Sequence, residues 1–131
     1  MVKFDAVLGR LYERNPKLHP CYLKGDFDGD RRPDYAVPIR NRRMGKSGIA
    51  ILNSSTSSWA VIAAGILFKG DDDLSWMDVW SVYPKGRVER GVEEGSPPRL
   101  RGDAILAEKS ESASGLIYWT GKRYHWYQQG D

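Results

Sequence analysis

The chain reads Gly25-Asp26-Phe27-Asp28-Gly29-Asp30-Arg31-Arg32-Pro33-Asp34 and runs without a break into the apolar stretch Tyr35-Ala36-Val37-Pro38-Ile39. Three aspartates alternate and a fourth follows four positions on. That spacing matches a calcium loop, in which side chains at positions 1, 3 and 5 and a main-chain carbonyl at 7 contribute to a shell of oxygens at about 2.3–2.6 Å, and position 9 closes it directly or through water. Counted from Asp26, the ligands are Asp26, Asp28, Asp30, the carbonyl of Arg32, and Asp34. An EF-hand is excluded. Its loop carries Glu at position 12 and is flanked by helices, whereas position 12 here is Val37 inside a stretch that reads as strand.

Gly25 to Val37 resembles the loop of FG-GAP or VCBS-type repeats, whose pattern runs close to Gly-Asp-Phe-Asp/Asn-Gly-Asp-Gly-x-x-Asp-Leu/Tyr-Ala-Val. The resemblance covers about a tenth of the chain and implies two antiparallel strands joined around Ca²⁺. One position departs from the pattern. Arg31 stands where the repeats have Gly, at a turn that favours positive φ, and a side chain there is strained. Arg31 and Arg32 also bring two positive charges beside the cation. Three states of the loop stay open: a weakly held Ca²⁺, the arginines pairing with the carboxylates in its place, or a metal-free turn closed by Asx hydrogen bonds.

With 131 residues the chain makes one domain, 1–131, long enough to bury a single core. Apolar content of 40% and charged content of 28% are those of a soluble globular protein. A net charge of +3 with both signs interspersed argues against nucleic acid as the partner. The single Cys21 forbids an internal disulfide and leaves the redox compartment open. No apolar run is long enough to span a bilayer, and the start lacks the charged and apolar segments of a signal peptide. A periplasmic or secreted location follows if a leader has been removed, and a cytoplasmic one otherwise.

Residues 3 to 14 place Phe4, Val7, Leu8, Leu11 and Tyr12 on one helical stripe, ended by Asn15-Pro16. A helix packed on a sheet is expected. A membrane-surface or partner-binding helix is the alternative, disfavoured by a polar face that is not strongly basic. His19 to Leu23 reads as a strand entering the acidic loop and Tyr35 to Ile39 as its hairpin partner, with Pro38 pointing to a sheet edge or an early strand end. Arg40 to Lys46 holds four cations and reads as a hairpin tip with Gly45 and Gly48 in the turn. Gly48 to Asn53 and Trp59 to Ala64 are further strands, the latter apolar on both faces and so expected to be central.

Asp71-Asp72-Asp73 reads as a helix start or solvated turn, since consecutive carboxylates do not converge on one ion. Trp76 and Trp80 share a face at period two, where they either fill the core or form a platform for a sugar or peptide. Pro84 to Leu100 is expected to be a long excursion. Arg101-Gly102-Asp103 spells an adhesion tripeptide but abuts the strand Ala104 to Ala107. Leu116 to Trp119 and Arg123 to Tyr127 flank Thr120-Gly121-Lys122 as a final hairpin. This ending loosely resembles the C-terminus of small bacterial proteins of unknown function that carry one acidic loop.

The acidic loop occurs once, so a propeller of four or more blades is not expected from one chain. The fold expected is α+β: an N-terminal helix packed on a mostly antiparallel β-meander, with the FG-GAP-like loop in its first hairpin. No nucleophile elbow and no cysteine–histidine pairing is visible, so no enzyme is expected. The reading is a non-enzymatic, Ca²⁺-binding structural or interaction module of the bacterial envelope, with another protein as partner. Two alternatives remain: a metal-dependent hydrolase of cell-wall or phosphodiester substrates, which needs an open coordination position and a base, and a carbohydrate-binding module built on Trp76 and Trp80.

Overall fold

A computed structural model describes residues 4–92 and 95–130. Among these, the strands β1 (Tyr12–Arg14), β2 (Leu23–Gly25), β3 (Asp34–Asn41), β4 (Ser47–Asn53) and β5 (Ser58–Ala63) form one antiparallel sheet. Its order is β1, β3, β4, β5, and β2 shares with β1 the remaining side of β3. The strands β6 (Val79–Tyr83), β7 (Ala104–Lys109), β8 (Ala113–Trp119) and β9 (Tyr124–Gly130) form a second antiparallel sheet in sequence order.

Alternation along the strands sets how the sheets pack, because successive side chains point to opposite faces. Ala36, Ile49, Ile51 and Ile62 of the first sheet meet Trp80, Ile105, Ala107, Ile117 and Trp126 of the second in one shared core. The intervening positions line the outer faces. On the first sheet, Ile39, Ala50 and Ala64 pack with Leu8 and Tyr12. On the second, Ala104, Leu116 and Tyr127 are covered by Val88 and Leu100 from the 84–103 segment. The result is two facing sheets with a thin cover on each outside.

This overturns the α+β expectation. The chain is nearly all β, and α1 (Ala6–Leu11) is six residues long with Leu8 as its buried side chain. It begins where the Asp5 carboxylate accepts the Leu8 N–H at 2.7 Å. It stops because Tyr12, Glu13 and Arg14 pair with Asn41, Arg40 and Ile39. A ladder with β3 wins over another helical turn, and the apolar stripe splits: Leu8 and Tyr12 turn inward, while Val7 and Leu11 stay 65% and 52% exposed.

Three strand expectations are corrected in the same way. Pro38 lies inside β3 with β4 beside it, and the strand runs on to Asn41. The side of β3 facing β1 and β2 is broken here, with pairing at Ala36 and again at Ile39, so the missing proline N–H falls in the gap. β5 is an edge strand, and its two apolar faces reflect the core on one side and the α1 cover on the other. Gly48 lies within β4 and permits close approach to β5, since a Cβ there would sit 2.6 Å from the Ala64 nitrogen. The strand expected over His19 to Leu23 is shifted, since β2 is Leu23–Gly25, and the tip expected over Arg40 to Lys46 is narrower, since β3 runs to Asn41 and β4 begins at Ser47. The antiparallel pairing on either side of the acidic loop and the closing β8–β9 hairpin form as expected.

Candidate metal-binding loop

Gly25 and Asp34 are the last paired residues of the β2–β3 hairpin. Between them the chain must double back, and alternation decides how. Phe27 points into the shared core and is 1% exposed. Its neighbours Asp26 and Asp28 remain half-buried toward the surface. Gly29 has φ +78° and Arg31 φ +69°, the left-handed turn that the pattern assigns to Gly at position 31. Arg31 adopts it despite its Cβ, so the loop holds this residue in a conformation it disfavours.

Asp34 is the buried pivot, at 0% exposure. One of its oxygens accepts the N–H of Phe27 at 2.9 Å and of Asp28 at 3.3 Å, and the other accepts the Ser54 N–H at 3.1 Å. Asp26 accepts the N–H groups of Asp30 and Arg31 at 3.0 and 2.9 Å. Asp28 accepts the Asp30 N–H at 3.2 Å, and Asp30 accepts the Arg32 N–H at 2.9 Å. These bonds turn all four carboxylates inward. An oxygen from each of Asp26, Asp28, Asp30 and Asp34 lies within 4.8 Å of the others.

That separation fits the cation that the spacing calls for. Two oxygens at about 2.6 Å from one Ca²⁺ can stand no more than about 5.2 Å apart, and 4.8 Å lies inside this limit. The donors are all hard oxygens, as Ca²⁺ prefers. Arg32, the fifth expected ligand through its carbonyl, belongs to the same turn, with its N–H bonded to Asp30 and its side chain exposed. Among the described residues the ion pairs join Arg40 to Glu13 and Lys46 to Asp72, and neither involves Arg31 or Arg32. The loop arginines therefore do not stand in for a metal ion.

The electrostatics record the crowding. Burial, the Asp30 side chain and the Asp34 charge push the Asp28 carboxyl up to about 7. Burial also raises Asp34. Asp30 is held below the usual range, chiefly by the Ser55 hydroxyl and the Arg32 N–H. Tyr124 is raised by burial and by the nearby Asp34 and Asp28 charges, so its phenol stays protonated while it donates to Asn53 at 3.1 Å.

The loop is also fastened to the second sheet by residues that sequence reading did not connect with it. The Asp103 N–H donates to the Asp26 carbonyl at 2.7 Å, and the Asp26 N–H donates back to the Asp103 carboxylate at 2.9 Å. The other Asp103 oxygen accepts the Lys85 N–H at 2.8 Å. Gly102 is buried against this contact, and a Cβ there would lie 2.7 Å from the Gly29 nitrogen. The tripeptide Arg101-Gly102-Asp103 is thus a strap on the acidic loop. No local signal marks the pairing, since Asp26 and Asp103 are 77 positions apart.

The other singled-out residues have structural roles. Trp80 is 2% exposed, with its indole N–H bonded to the Pro20 carbonyl at 2.7 Å. Trp76 precedes β6 and meets Trp126 edge-on at 5.8 Å. The platform of Trp76 and Trp80 is not formed. In the second acidic cluster Asp72 holds Lys46 at 2.5 Å, and Asp73 accepts the N–H groups of Ser47 and Ser75, both at 3.0 Å. It is a turn that anchors the 63–78 connection to β4. Neither a family model, nor a curated protein, nor a solved structure matches the chain.

Proposed function

We propose that this chain is a non-enzymatic structural module in which Asp26, Asp28, Asp30, Asp34 and the Arg32 carbonyl bind Ca²⁺. The ion fastens the β2–β3 hairpin and, through the Asp103 strap, the junction between the two sheets. The carrying observation is the convergence of four carboxylates within 4.8 Å of one another, with no arginine ion-paired to them. Four like charges at that spacing repel, and a divalent cation cancels the repulsion. Both oxygens of Asp34 are engaged by backbone N–H groups, which suits a carboxylate that shapes a loop rather than one that exchanges protons with a substrate. An exported location in the bacterial envelope goes with this reading, where extracellular Ca²⁺ modules work at dissociation constants of about 10⁻⁴–10⁻³ M.

Calorimetry in EDTA and then in excess CaCl₂ tests the proposal. At ten times the dissociation constant, binding to the folded state alone adds about 1.4 kcal/mol, or about 5 °C in Tm for a domain of this size. An unchanged Tm in 10 mM CaCl₂ refutes it.

A further inference from the structure

The 63–78 connection, the start of β8 and the end of β9 enclose a cleft of about 610 Å³, none of whose walls comes from the acidic loop. Each wall is held by the backbone. Phe68 and Asp71 exchange N–H to carbonyl bonds at 2.7 and 3.1 Å, with Lys69 and Gly70 at φ +51° and +79° between them, so a tight turn sets Phe68 at the cleft. The Leu74 N–H donates to the Ser47 carbonyl at 2.9 Å. Trp126 lies across Gly115, where a Cβ would collide with the indole, and meets Trp76 edge-on at 5.8 Å. These contacts form the cleft without a ligand, which lowers the cost of binding one.

The chemistry of the lining selects that ligand. Phe68 and Trp76 are half-buried, and Leu74 and Trp126 are 4% and 8% exposed. The Trp126 N–H is taken by the Gln128 side-chain oxygen at 2.9 Å, and the Gln128 amide nitrogen donates to the Ser114 and Gly130 carbonyls. The buried lining therefore presents ring and alkyl surface. Lys69 and Asp71, one charge of each sign, are exposed and favour neither an anion nor a cation. A sugar carries many hydroxyls that lose their water on entry, and this lining offers too few partners to replace it. An extended peptide needs a strand edge. Beside the cleft the β9 edge is covered, since the Val92 N–H donates to the Gln129 carbonyl and the Gln129 side chain to the Glu89 carbonyl, both at 3.2 Å. A mostly apolar, aromatic-walled cleft of about 300–1,000 Å³ is the form of a small-molecule site, and rings gain from contact with other rings beyond the area they bury. We propose that this cleft binds a small, uncharged, planar aromatic molecule, packed against Phe68, Trp76 and Trp126.

Saturation-transfer NMR and calorimetric titration with 2-naphthol, both in EDTA, test the proposal. A dissociation constant on the order of 10⁻⁴ M is expected for a ligand of that size, with cyclohexanol and cellohexaose binding at least about tenfold more weakly. Ala113→Phe, at a half-buried position that lines the cleft from the start of β8, fills the space and is expected to weaken 2-naphthol about tenfold or more with its melting temperature unchanged. Trp76→Ala is expected to weaken it as much, and Ala113→Phe decides the matter where loss of the Trp76–Trp126 contact also lowers stability. Asp28→Asn is expected to leave binding unchanged, which separates this result from failure of the Ca²⁺ reading. The proposal is overturned by no binding of 2-naphthol at about 1 mM, well above the expected constant, or by binding indifferent to Ala113→Phe. Cyclohexanol or cellohexaose binding as tightly as 2-naphthol overturns it as well.

Discussion

Replacing Asp34 by alanine separates the shape of the acidic loop from its charge. In the folded chain the buried carboxylate accepts three backbone N–H groups, from Phe27, Asp28 and Ser54. Alanine leaves all three without their acceptor. A donor left unsatisfied in the interior costs about 1–3 kcal/mol, and Phe27, 1% exposed, belongs at the upper end. Asp28 and Ser54 lie nearer water and regain part of their hydration, at about 0.5–1 kcal/mol each. Against this, removing one of four crowded charges relieves repulsion, which adds to burial in raising Asp34 and Asp28; an allowance of about 1 kcal/mol is reasonable for one close pair in high dielectric. The balance is a destabilisation of about 2–4 kcal/mol. Urea unfolding in EDTA, followed by circular dichroism and tryptophan fluorescence, measures it. The m-value should hold, because the two sheets remain. A loss below 1 kcal/mol refutes Asp34 as the pivot of the loop, and addition of CaCl₂ should recover little of a larger loss, since a ligand is gone.

Asp28→Asn should behave in the opposite way. Asp28 accepts one loop N–H and is titrated upward by burial, the Asp30 side chain and Asp34, so the variant is expected to be at least as stable as the native chain in EDTA and to lose the CaCl₂ stabilisation. The same shift sets a pH dependence. A carboxyl whose folded-state value of about 7 exceeds its unfolded 3.8 contributes stability that is fully present below about pH 4 and is lost as pH rises through about 7. In EDTA the native chain should therefore weaken across that window relative to Asp28→Asn, by comparative urea titration, and saturating CaCl₂ should remove the difference. Arg31→Gly should raise stability by about 0.5–1 kcal/mol, because glycine relieves the positive φ at the cost of a more flexible unfolded chain. Calorimetric titration should also find it binding Ca²⁺ more tightly, with one positive charge fewer beside the site. Gly102→Ala forces a Cβ toward the Asp26 carbonyl and the Gly29 nitrogen; a loss of about 2 kcal/mol is expected, and hydrogen exchange should locate it at Asp26 and Asp103.

What could be read from the sequence is what neighbouring residues decide between themselves. Asp and Gly spacing specifies the loop, and the strands on either side must pair because the loop returns the chain on itself. The final hairpin follows from Gly121 between two aromatic runs for the same reason. The failures have the converse cause. The helical stripe of residues 3 to 14 is genuine as a pattern, but Tyr12 has a better partner in Asn41, and no window around Tyr12 contains that information. Trp59 to Ala64 reads as central because both faces are apolar; the second face is buried by Leu8 of α1 and by Phe4 just before it, about fifty positions earlier in the sequence. Trp80 reads by default as a core residue, and the sequence alone does not show what it packs on until the second sheet turns it onto the first. Ser54, Ser55 and Asp103 complete the acidic site from outside the motif, and their short polar side chains carry no distinguishing pattern.

The hydrogen bonds within the loop bear on whether a metal-free turn suffices. A carboxylate offers about four lone-pair positions, and the backbone N–H groups take three at Asp34, two at Asp26 and one each at Asp28 and Asp30. The turn is thereby positioned without its oxygens being exhausted. Hydrogen bonds satisfy lone pairs, but they leave four carboxylates converging where Arg31 and Arg32 form no ion pair, and Asp28 is raised first by burial and, to a smaller extent, by the Asp34 charge. Shape and charge are thus balanced by different agents. The N–H donors and the Asp103 strap shape the loop, and on the proposed reading a cation would supply the charge they lack, so Ca²⁺ should register in the stability of the domain and in exchange at the strap while the arrangement of strands stays the same.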